Sequence, residues 1–474
     1  MSFYRQSRSL PDRFRLILAS FLQRPGLPFA TVLPEEAIQR AFDDEEVSFA
    51  DDEDAVYTPP ITLWAFLSQV LFKGEQRSCV AAVARVAVLL VALERGPCST
   101  NTGAYCRARA KLSEKVIRQL TVKVANGCES RLEEKWLWHG RHVYLVDGTT
   151  VSMPDTPENQ LAYPQQPQQQ VGLGFPITRV VVLLSLASGM LTDMALGPYA
   201  GKETGETALL RPLLKGFEPG DILLADRYYC SYFMIALLME RGIDFVTRVH
   251  QRREVNFRRG RRLGQDDHIV RWGRPQRPEW MDQQTYDRIP ASIEVRQIRV
   301  HTGRPGFRTE SVIVVTTLTG AAAYAKDDLA ELYHSRWLAE LDIRSIKITM
   351  GMDILRCKTP KMVRKEMWTC LLAYNLIRQT MLQAARQSGV YPRNLSFTAA
   401  LQSIAASWLV IVVSNDTVVA HLLAAGRANV SAHMVGNRPD RVEPRAVKRR
   451  PKPHALLTKP RSQARAELHT QESP

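Results

Sequence analysis

Paired cysteines are missing from this chain. Its seven cysteines are spread over 474 residues, none in a Cys-x-x-Cys pair and none beside a histidine cluster. That spacing argues against a zinc site or a disulfide framework and points to buried free thiols in a reducing compartment. Long uncharged apolar runs are missing too. The run from Val80 to Leu93 is broken by Arg85, and the one from Ala399 to Val413 carries Gln402, Ser403 and Ser407, so neither reads as a membrane span. The first residues, MSFYRQSRSLPDRFRLILASFLQ, hold Arg inside their apolar stretch and lack a small-residue cleavage site, which is not the pattern of a signal peptide. The expectation is a soluble, cytoplasmic, nucleoid-associated chain. Acid is also scarce: 48 Asp and Glu stand against 63 Lys and Arg, for a net charge of +15 and a pI of about 9.6. Such an excess favours a polyanionic partner, for which nucleic acid is the usual choice.

A chain of 474 residues is too long for one ordinary core, so two to four domains are expected. Residues 1–140 read as helical. Within them, residues 35–54 hold ten acids against the single base Arg40, a solvated acidic block in a basic protein. CVAAVARVAVLLVALER reads as a buried helix and GPC breaks it. Ser99 or Thr100 can then cap a second helix bearing Arg107, Arg109 and Lys111, in the manner of a helix-turn-helix. From 141 the pattern turns to strands: VYLVD, then ITRVVVLLSLAS and GMLTDMALG joined at Gly189. A helix at ETALLRPLL follows, then the strand DILLAD, a helix at CSYFMIALLMERG and the strand IDFVTRV. Three strands, helix, strand, helix, strand is the order of a ribonuclease-H-like sheet.

Residues 248–310 interrupt that order. Arg248 to Arg262 holds seven Arg, including Arg252, Arg253, Arg258 and Arg259, and Trp272 and Trp280 follow. SIEVRQIRVHT alternates like a strand, as does SVIVVTTL. Asp328 and Glu331 suggest a variant capping box that starts the next helix. Residues 351–426 read as helical, with WTCLLAYNLIRQTM the clearest apolar helix. From Arg438 to Arg465 ten Lys or Arg stand against two acids among scattered prolines, a basic flexible tail.

Three acids stand out in this layout. Asp147 closes VYLVD and Asp226 closes ILLAD, each after a short apolar run that reads as a buried strand. Glu340 lies on the helix YHSRWLAELDIRSIK with Tyr333, Arg336 and Lys347. Arg336, Glu340 and Lys347 lie 3, 7 and 14 residues beyond Tyr333. At about 100° per residue all four fall on one narrow stripe. A hydroxyl, a guanidinium, a carboxylate and an ammonium make a poor core face but suit phosphate handling. Two strand-end carboxylates and one from a helix can hold two divalent cations about 3.5–4 Å apart, and Mg²⁺ prefers such oxygen ligands. Arg336, one turn before Glu340, can grip a phosphate oxygen with its planar fork. Each piece alone is common, since strands of α/β folds often end in Asp and helix surfaces often carry i,i+3 and i,i+4 pairs. Their conjunction carries the reading.

The chain resembles bacterial insertion-sequence transposases of the DDE class, in the group with a Tyr-x2-Arg-x3-Glu-x6-Lys signature. That signature is Tyr333, Arg336, Glu340 and Lys347 with no departure in spacing, and Asp147 in VDGTT and Asp226 in ADRYY match the first two acids. The resemblance runs from about 141 to 350 and more loosely into the amino-terminal region. It implies binding of terminal inverted repeats, pairing of the two ends as a homodimer, and release of a 3′-hydroxyl that is joined to target DNA. In the hairpin-forming members that hydroxyl first attacks the opposite strand. Tyr333, Arg336 and Lys347 would then hold the 5′ phosphate, and the insertion would accept a flipped base, whose unstacking costs a few kcal/mol. Such a relative carries a stacking Trp at the start of the last strand before the catalytic helix. Counting back 21 residues from Tyr333 gives Val312 here, so Trp272 or Trp280 would have to substitute.

The expected architecture is α/β, a ribonuclease-H-like catalytic core at 141–247 plus 311–350 with a β-rich basic insertion at 248–310. A helical DNA-end-binding domain at 1–140 and a helical region at 351–435 would flank it, and 436–474 would be the flexible tail. The metal ligands would be Asp147, Asp226 and Glu340, with Mg²⁺ bound and Mn²⁺ able to substitute. Double-stranded DNA would be contacted by Arg107, Arg109, Lys111, Arg252, Arg253, Arg258, Arg259 and Trp272, with no membrane partner. The alternatives are a metal-dependent nuclease or a domesticated transposase that binds DNA without strand transfer.

Overall fold

The computed structural model describes residues 56–57, 59–92, 98–301, 311–413, 416–436 and 455–471. The acidic block at 35–54 and the stretch 437–454 of the basic tail lie outside them.

The described chain begins with α1 (Pro59–Leu71), α2 (Cys79–Ala92), α3 (Thr102–Lys111) and α4 (Glu114–Glu129). The cap of α3 is Asn101 rather than Ser99 or Thr100. Its extended backbone lets its side chain accept from the Gly103 amide at 2.7 Å, satisfying a donor the first turn leaves open. Ser113 caps α4 in the same way.

The strands follow: β1 (Val143–Ser152), then α5 (Pro157–Ala162), β2 (Ile177–Ser185), β3 (Leu191–Pro198), α6 (Glu206–Leu210), β4 (Ile222–Ala225), α7 (Tyr232–Glu240) and β5 (Asp244–Arg248). Gly189 turns the β2–β3 hairpin at φ 76°, a backbone state that suits glycine. The helix expected over 206–214 is divided. α6 stops at Leu210 and a 3₁₀ turn takes over from Arg211, where Pro212 can donate no backbone bond. Beyond β5 come β6 (Arg261–Gly264), β7 (Asp267–Gly273), α8 (Gln283–Arg288), β8 (Ser292–His301) and β9 (Ser311–Thr316).

All nine strands form one sheet in the order β3-β2-β1-β4-β5-β9-β8-β7-β6. β1, β4 and β5 run parallel and β2 and β3 antiparallel to their neighbours, which is the ribonuclease-H-like order expected. The insertion is not a detached β unit. β9 pairs antiparallel with β5, β8 pairs with β9, and β7 and β6 carry the same sheet outward. A buried ion pair holds that wing: Arg296 on β8 donates to Asp267 on β7 at 2.9 and 2.6 Å and to the Tyr324 carbonyl at 2.7 Å, just ahead of the helix that carries Glu340.

Alternation along the strands builds a core on each face. Leu145, Val180, Val182, Leu184, Ile222 and Leu224 face the helical side. Val146, Val181, Leu183, Leu223 and Phe245 face α7 and the insertion. With both faces covered, the central strands read as continuous apolar runs.

The helical segment that carries Glu340 is α9 (Lys326–His334), a 3₁₀ turn (Ser335–Trp337), α10 (Leu338–Arg344) and a π turn (Ser345–Thr349) in succession. The expected capping box is absent. Ala325 stands at the cap and makes no side-chain bond, while Asp327 and Asp328 fall inside the first turn, where their charge suits the helix dipole. The long buried helix α11 (Pro360–Ser388) follows, capped by Thr359 and ended by Gly389 at φ 69°. Then come α12 (Phe397–Val413), α13 (Asp416–Ala432) and, within the basic tail, α14 (Arg461–Gln471). All seven cysteines are free. Among the described residues no helix is long and apolar enough to cross a membrane.

Candidate active site

Backbone pairing brings the two aspartates together. β1 and β4 pair in parallel from Val143 opposite Ile222 to Leu145 opposite Leu224. Asp147 and Asp226 each lie two residues beyond the last of those pairs, so they stand at equivalent places where the two strands part. Asp147 is not a strand end, however. β1 runs on to Ser152 as an antiparallel ribbon with β2, Asp147 opposite Val182. Asp226 leaves β4 and caps a 3₁₀ turn, accepting from the Tyr228 amide at 2.7 Å.

Burial pushes the Asp147 carboxyl up to about 6. The Gly148 amide, donating at 2.8 Å, and the Arg336 charge hold it down, while Asp226 and Glu206 add repulsion. Glu206, at the start of α6, was not among the sequence candidates. It is itself raised by burial and by Asp226, against a bond from the Tyr229 hydroxyl at 3.2 Å. Nothing local marks it: its meeting with Asp147 depends on how β2, β3 and α6 fold back over β1.

Arg336 organises the other acid. Its guanidinium donates to Glu340 at 2.7 Å, bonds Tyr333 and acts on Asp147. Tyr333, raised by burial, also feels Arg248 at the end of β5 and Asp226. Tyr333, Arg336 and Glu340 thus share a face, as the i,i+3 and i,i+4 spacing implies. Lys347 does not join them. It sits in the π turn, where the winding loosens, and its ammonium donates to the Thr149 hydroxyl at 3.0 Å and the Thr150 carbonyl at 2.7 Å. It ties the helix to β1 just past Asp147, and burial lowers its pKa.

Asp147, Asp226 and Glu340 carry only oxygen donors, the ligand chemistry a hard divalent cation takes. The mutual repulsion at Asp147 is what such a cation relieves. Among the described residues no three His, Cys, Asp or Glu side chains stand at metal-holding spacing in this conformation. Glu340, 56% exposed, is turned to Arg336 instead.

Comparison with known proteins bears on this geometry. The family model described as the transposase DDE domain matches residues 138–376, which contain both aspartates and the whole helical segment that carries Glu340. The chain belongs to the DDE transposase family. DDE transposases depend on divalent metal, and their partner is DNA. The insertion-sequence transposase InsG for element IS4 of Escherichia coli K12 is 27% identical over 353 residues, 73% of this chain and 76% of its own length. The putative transposase InsZ of the same organism is 26% identical over 144 residues, 30% of this chain and 46% of its own. A cryo-electron microscopy structure of piggyBac transposase in a synaptic complex with hairpin DNA aligns over 94% of this chain and 90% of that one, at 10% identity and a TM-score of 0.41.

The residues expected to meet DNA are distributed unevenly over this transposase. Arg107 and Lys111 are exposed on α3. Arg109 turns inward: it donates to the Gln69 side chain at 3.0 Å and lies over the Phe66 and Tyr105 rings, as a core-packing cation. Arg252, Arg258 and Arg259 are exposed on the insertion. Trp272 is only 5% exposed, paired opposite Ile293, and the Arg253 guanidinium covers its ring at 3.7 Å. The alternation of β7 sends it into the core between insertion and α7. Trp280 is the more exposed of the two tryptophans, at 37%, with Arg211 over its ring at 4.0 Å. It borders an open groove of about 850 Å³ whose walls include Arg252, Arg253, His250 and Tyr228. Val312 is buried within β9.

Proposed function

We propose that this transposase binds the terminal inverted repeats of its element as a homodimer, cleaves the ends and joins the 3′ ends to target DNA by phosphoryl transfer. Asp147, Asp226 and Glu340 would hold divalent cations, Mg²⁺ with Mn²⁺ able to substitute. When bound, those cations lower the pKa of a water or 3′-hydroxyl and neutralise charge on the departing oxygen. The observation that carries this reading is the equivalent placement of Asp147 and Asp226 beyond the last paired residues of β1 and β4, with Arg336 linking Asp147 to Glu340.

The chain's own groups then have separate tasks. Arg336, which donates to Glu340 at 2.7 Å, would turn its fork to a non-bridging phosphate oxygen. Tyr333 hydrogen-bonds the same phosphate. Lys347 holds β1 against the catalytic helix and supplies a positive charge beside the strand that carries Asp147.

A purified full-length preparation tests the reading with a precleaved, labelled end and a supercoiled target. Mg²⁺-dependent joining is expected. Cleavage of intact ends without joining would leave a nuclease, and end binding without Mg²⁺-dependent cleavage would leave a DNA-binding protein.

The groove beside Trp280 supports passage through hairpin ends, with Trp280 rather than Trp272 or a residue at Val312 stacking the flipped base. Base–aromatic stacking contributes ~1–3 kcal/mol, so Trp280→Ala is expected to reduce hairpin yield by about tenfold or more. Denaturing gels resolve hairpins from linear ends, and an unchanged hairpin yield would remove Trp280 from this role.

Arg252, Arg258 and Arg259 are proposed to neutralise backbone phosphates. Replacing all three by Ala should weaken end binding and flatten its dependence on salt, by roughly 0.9 in log–log slope for each phosphate no longer neutralised. Affinity measured across a salt series checks this, and a slope equal to wild type would place these residues off the DNA.

A further inference from the structure

We propose that Arg77 is a positioning residue for the centre: it holds the end of the helical segment that carries Glu340 and ties that end, through Gln69, to α3. The proposal rests on Glu340 as a metal ligand and on α3 as an element that meets DNA, and adds the link between them.

Arg77 closes the 3₁₀ turn Gly74–Arg77 between α1 and α2, yet its 5% exposed side chain serves residues 273 and 274 positions further on. The carbonyls that end a helix have no partner within it. Here the amino-terminal helices supply one. Arg77 donates to the Gly351 carbonyl at 2.6 Å and reaches the Met350 carbonyl at 3.4 Å. Lys73, just ahead of the turn, donates to the Ile348 carbonyl at 3.1 Å. Two cations at this end also suit the helix dipole. The other arm of the Arg77 fork pairs with buried Glu366 on α11 at 3.3 Å.

The backbone held there is tied to β1 on both sides. Ahead of it, Lys347 donates to Thr149 and Thr150, just past Asp147. Behind it, the Ser152 amide donates to the Asp353 carbonyl at 3.2 Å and the Leu355 amide to the Ser152 carbonyl at 3.0 Å. Arg77 therefore grips the loop between two ties to the strand that carries Asp147.

The main chain of Arg77 leads the other way. Its carbonyl accepts from the Gln69 side-chain amide at 2.8 Å. The Gln69 side-chain oxygen accepts from the Tyr105 hydroxyl at 2.5 Å and from Arg109 at 3.0 Å. Tyr105 and Arg109 lie on α3, whose Arg107 and Lys111 are exposed. A contiguous set of polar contacts thus runs from α3 to the end of the Glu340 segment, and such networks can carry coupling between sites.

The test uses the full-length transposase, a labelled duplex carrying the inverted repeat that borders its coding sequence, and Mg²⁺. Displacing a positioning element by about 1 Å can cost about a hundred-fold, so Arg77→Met should slow cleavage at saturating enzyme by about tenfold or more. End affinity in a gel-shift assay should stay at the wild-type value. Arg77→Lys keeps the charge without the fork and should recover part of the rate. It also decides the matter if Arg77→Met does not melt cooperatively. Gln69→Met touches none of the three carbonyls but should slow cleavage too. The double variant should be no slower than Arg77→Met, because both changes break one set of contacts. Hydrogen exchange separates the link from the chemistry: end DNA should slow exchange at the Met352 and Asp353 amides of wild type and not of Gln69→Met. Affinity falling in step with rate would make Arg77 a fold residue and overturn the proposal. Wild-type rates for the variants, with exchange slowed as in wild type, would overturn it and leave the metal-dependent reading intact. The expected exchange pattern without Mg²⁺-dependent cleavage by wild type would overturn that reading and leave the link.

Discussion

Asp147→Asn is expected to abolish end cleavage, by at least about a thousand-fold, and to make the folded protein more stable. The catalytic loss would follow from removing one of the proposed metal ligands, where several kcal/mol of transition-state stabilisation are at stake. The gain in stability follows from the burial of the same carboxyl. Its ordinary value is 3.8 and the fold pushes it up to about 6, so the folded protein holds this proton more tightly than the unfolded chain does. Such a group favours folding fully below pH 3.8 and loses that contribution as the pH rises through 6. At neutral pH the ionised carboxylate is therefore a burden. In a dry site it would cost ~3 kcal/mol, which partial solvent access reduces to on the order of 1 kcal/mol. Asparagine removes the charge and keeps the shape. Thermal melts in metal-free buffer should show Asp147→Asn above wild type at pH 7, with the gap closing towards pH 4. End binding in a gel-shift assay should persist. Near-normal cleavage would remove Asp147 from the centre, and a lower melting temperature at pH 7 would contradict the strain assigned to it.

The second large effect lies two residues beyond Glu340 and concerns folding alone. Asp342 is 1% exposed and faces two arginines. Arg393 donates to it at 2.5 Å, and Arg378 binds its other oxygen. Those arginines do more than neutralise it. Arg393 also donates to the Ser185 and Leu186 carbonyls at 2.5 and 2.8 Å. Arg378 donates to the Tyr374 hydroxyl at 2.9 Å, and that hydroxyl donates to the Gly189 carbonyl at 2.8 Å. One carboxylate thus joins the Glu340 helix to α11, to the segment after it and to the β2–β3 hairpin. Asp342→Ala leaves two guanidinium groups buried and under-compensated, which should cost about 3–5 kcal/mol. We expect a large drop in the denaturation midpoint, with cleavage lost through unfolding. Arg344→Ala, on the exposed side of the same helix, should change stability by less than about 0.5 kcal/mol. Comparable midpoints for the two variants would show the brace to be dispensable.

These two acids show how unevenly the site could be read from residues alone. Asp147 was visible because it closes VYLVD, and Asp226 because it closes ILLAD. Asp342 was invisible, since a charged residue inside YHSRWLAELDIRSIK ordinarily faces water and only the packing of α11 makes it a core residue. The spacing of Tyr333, Arg336 and Glu340 was informative because an i,i+3 and i,i+4 relation is enforced by one stretch of backbone. The same spacing failed for Lys347, fourteen residues along, because the helix tightens to 3₁₀ after His334 and loosens to π after Arg344. Trp272 and Trp280 looked equivalent in sequence. β7 turns one into the core, while the loop before α8 leaves the other beside the groove.

What the amino-acid order determined by itself is whatever short-range physics reports. Apolar runs announced the strands, Gly189 marked a turn, the charge balance pointed to a polyanion, and helical spacing put Tyr333, Arg336 and Glu340 on one face of one element. The tertiary structure alone decided what meets across long separations. It set Asp147 level with Asp226, brought Glu206 to Asp147, placed the insertion strands in the same sheet and buried Asp342 between two arginines. The physical reason is that strand register and helix docking are settled by hydrogen bonds and packing between segments scores of residues apart. No local window of sequence contains both partners of such a contact.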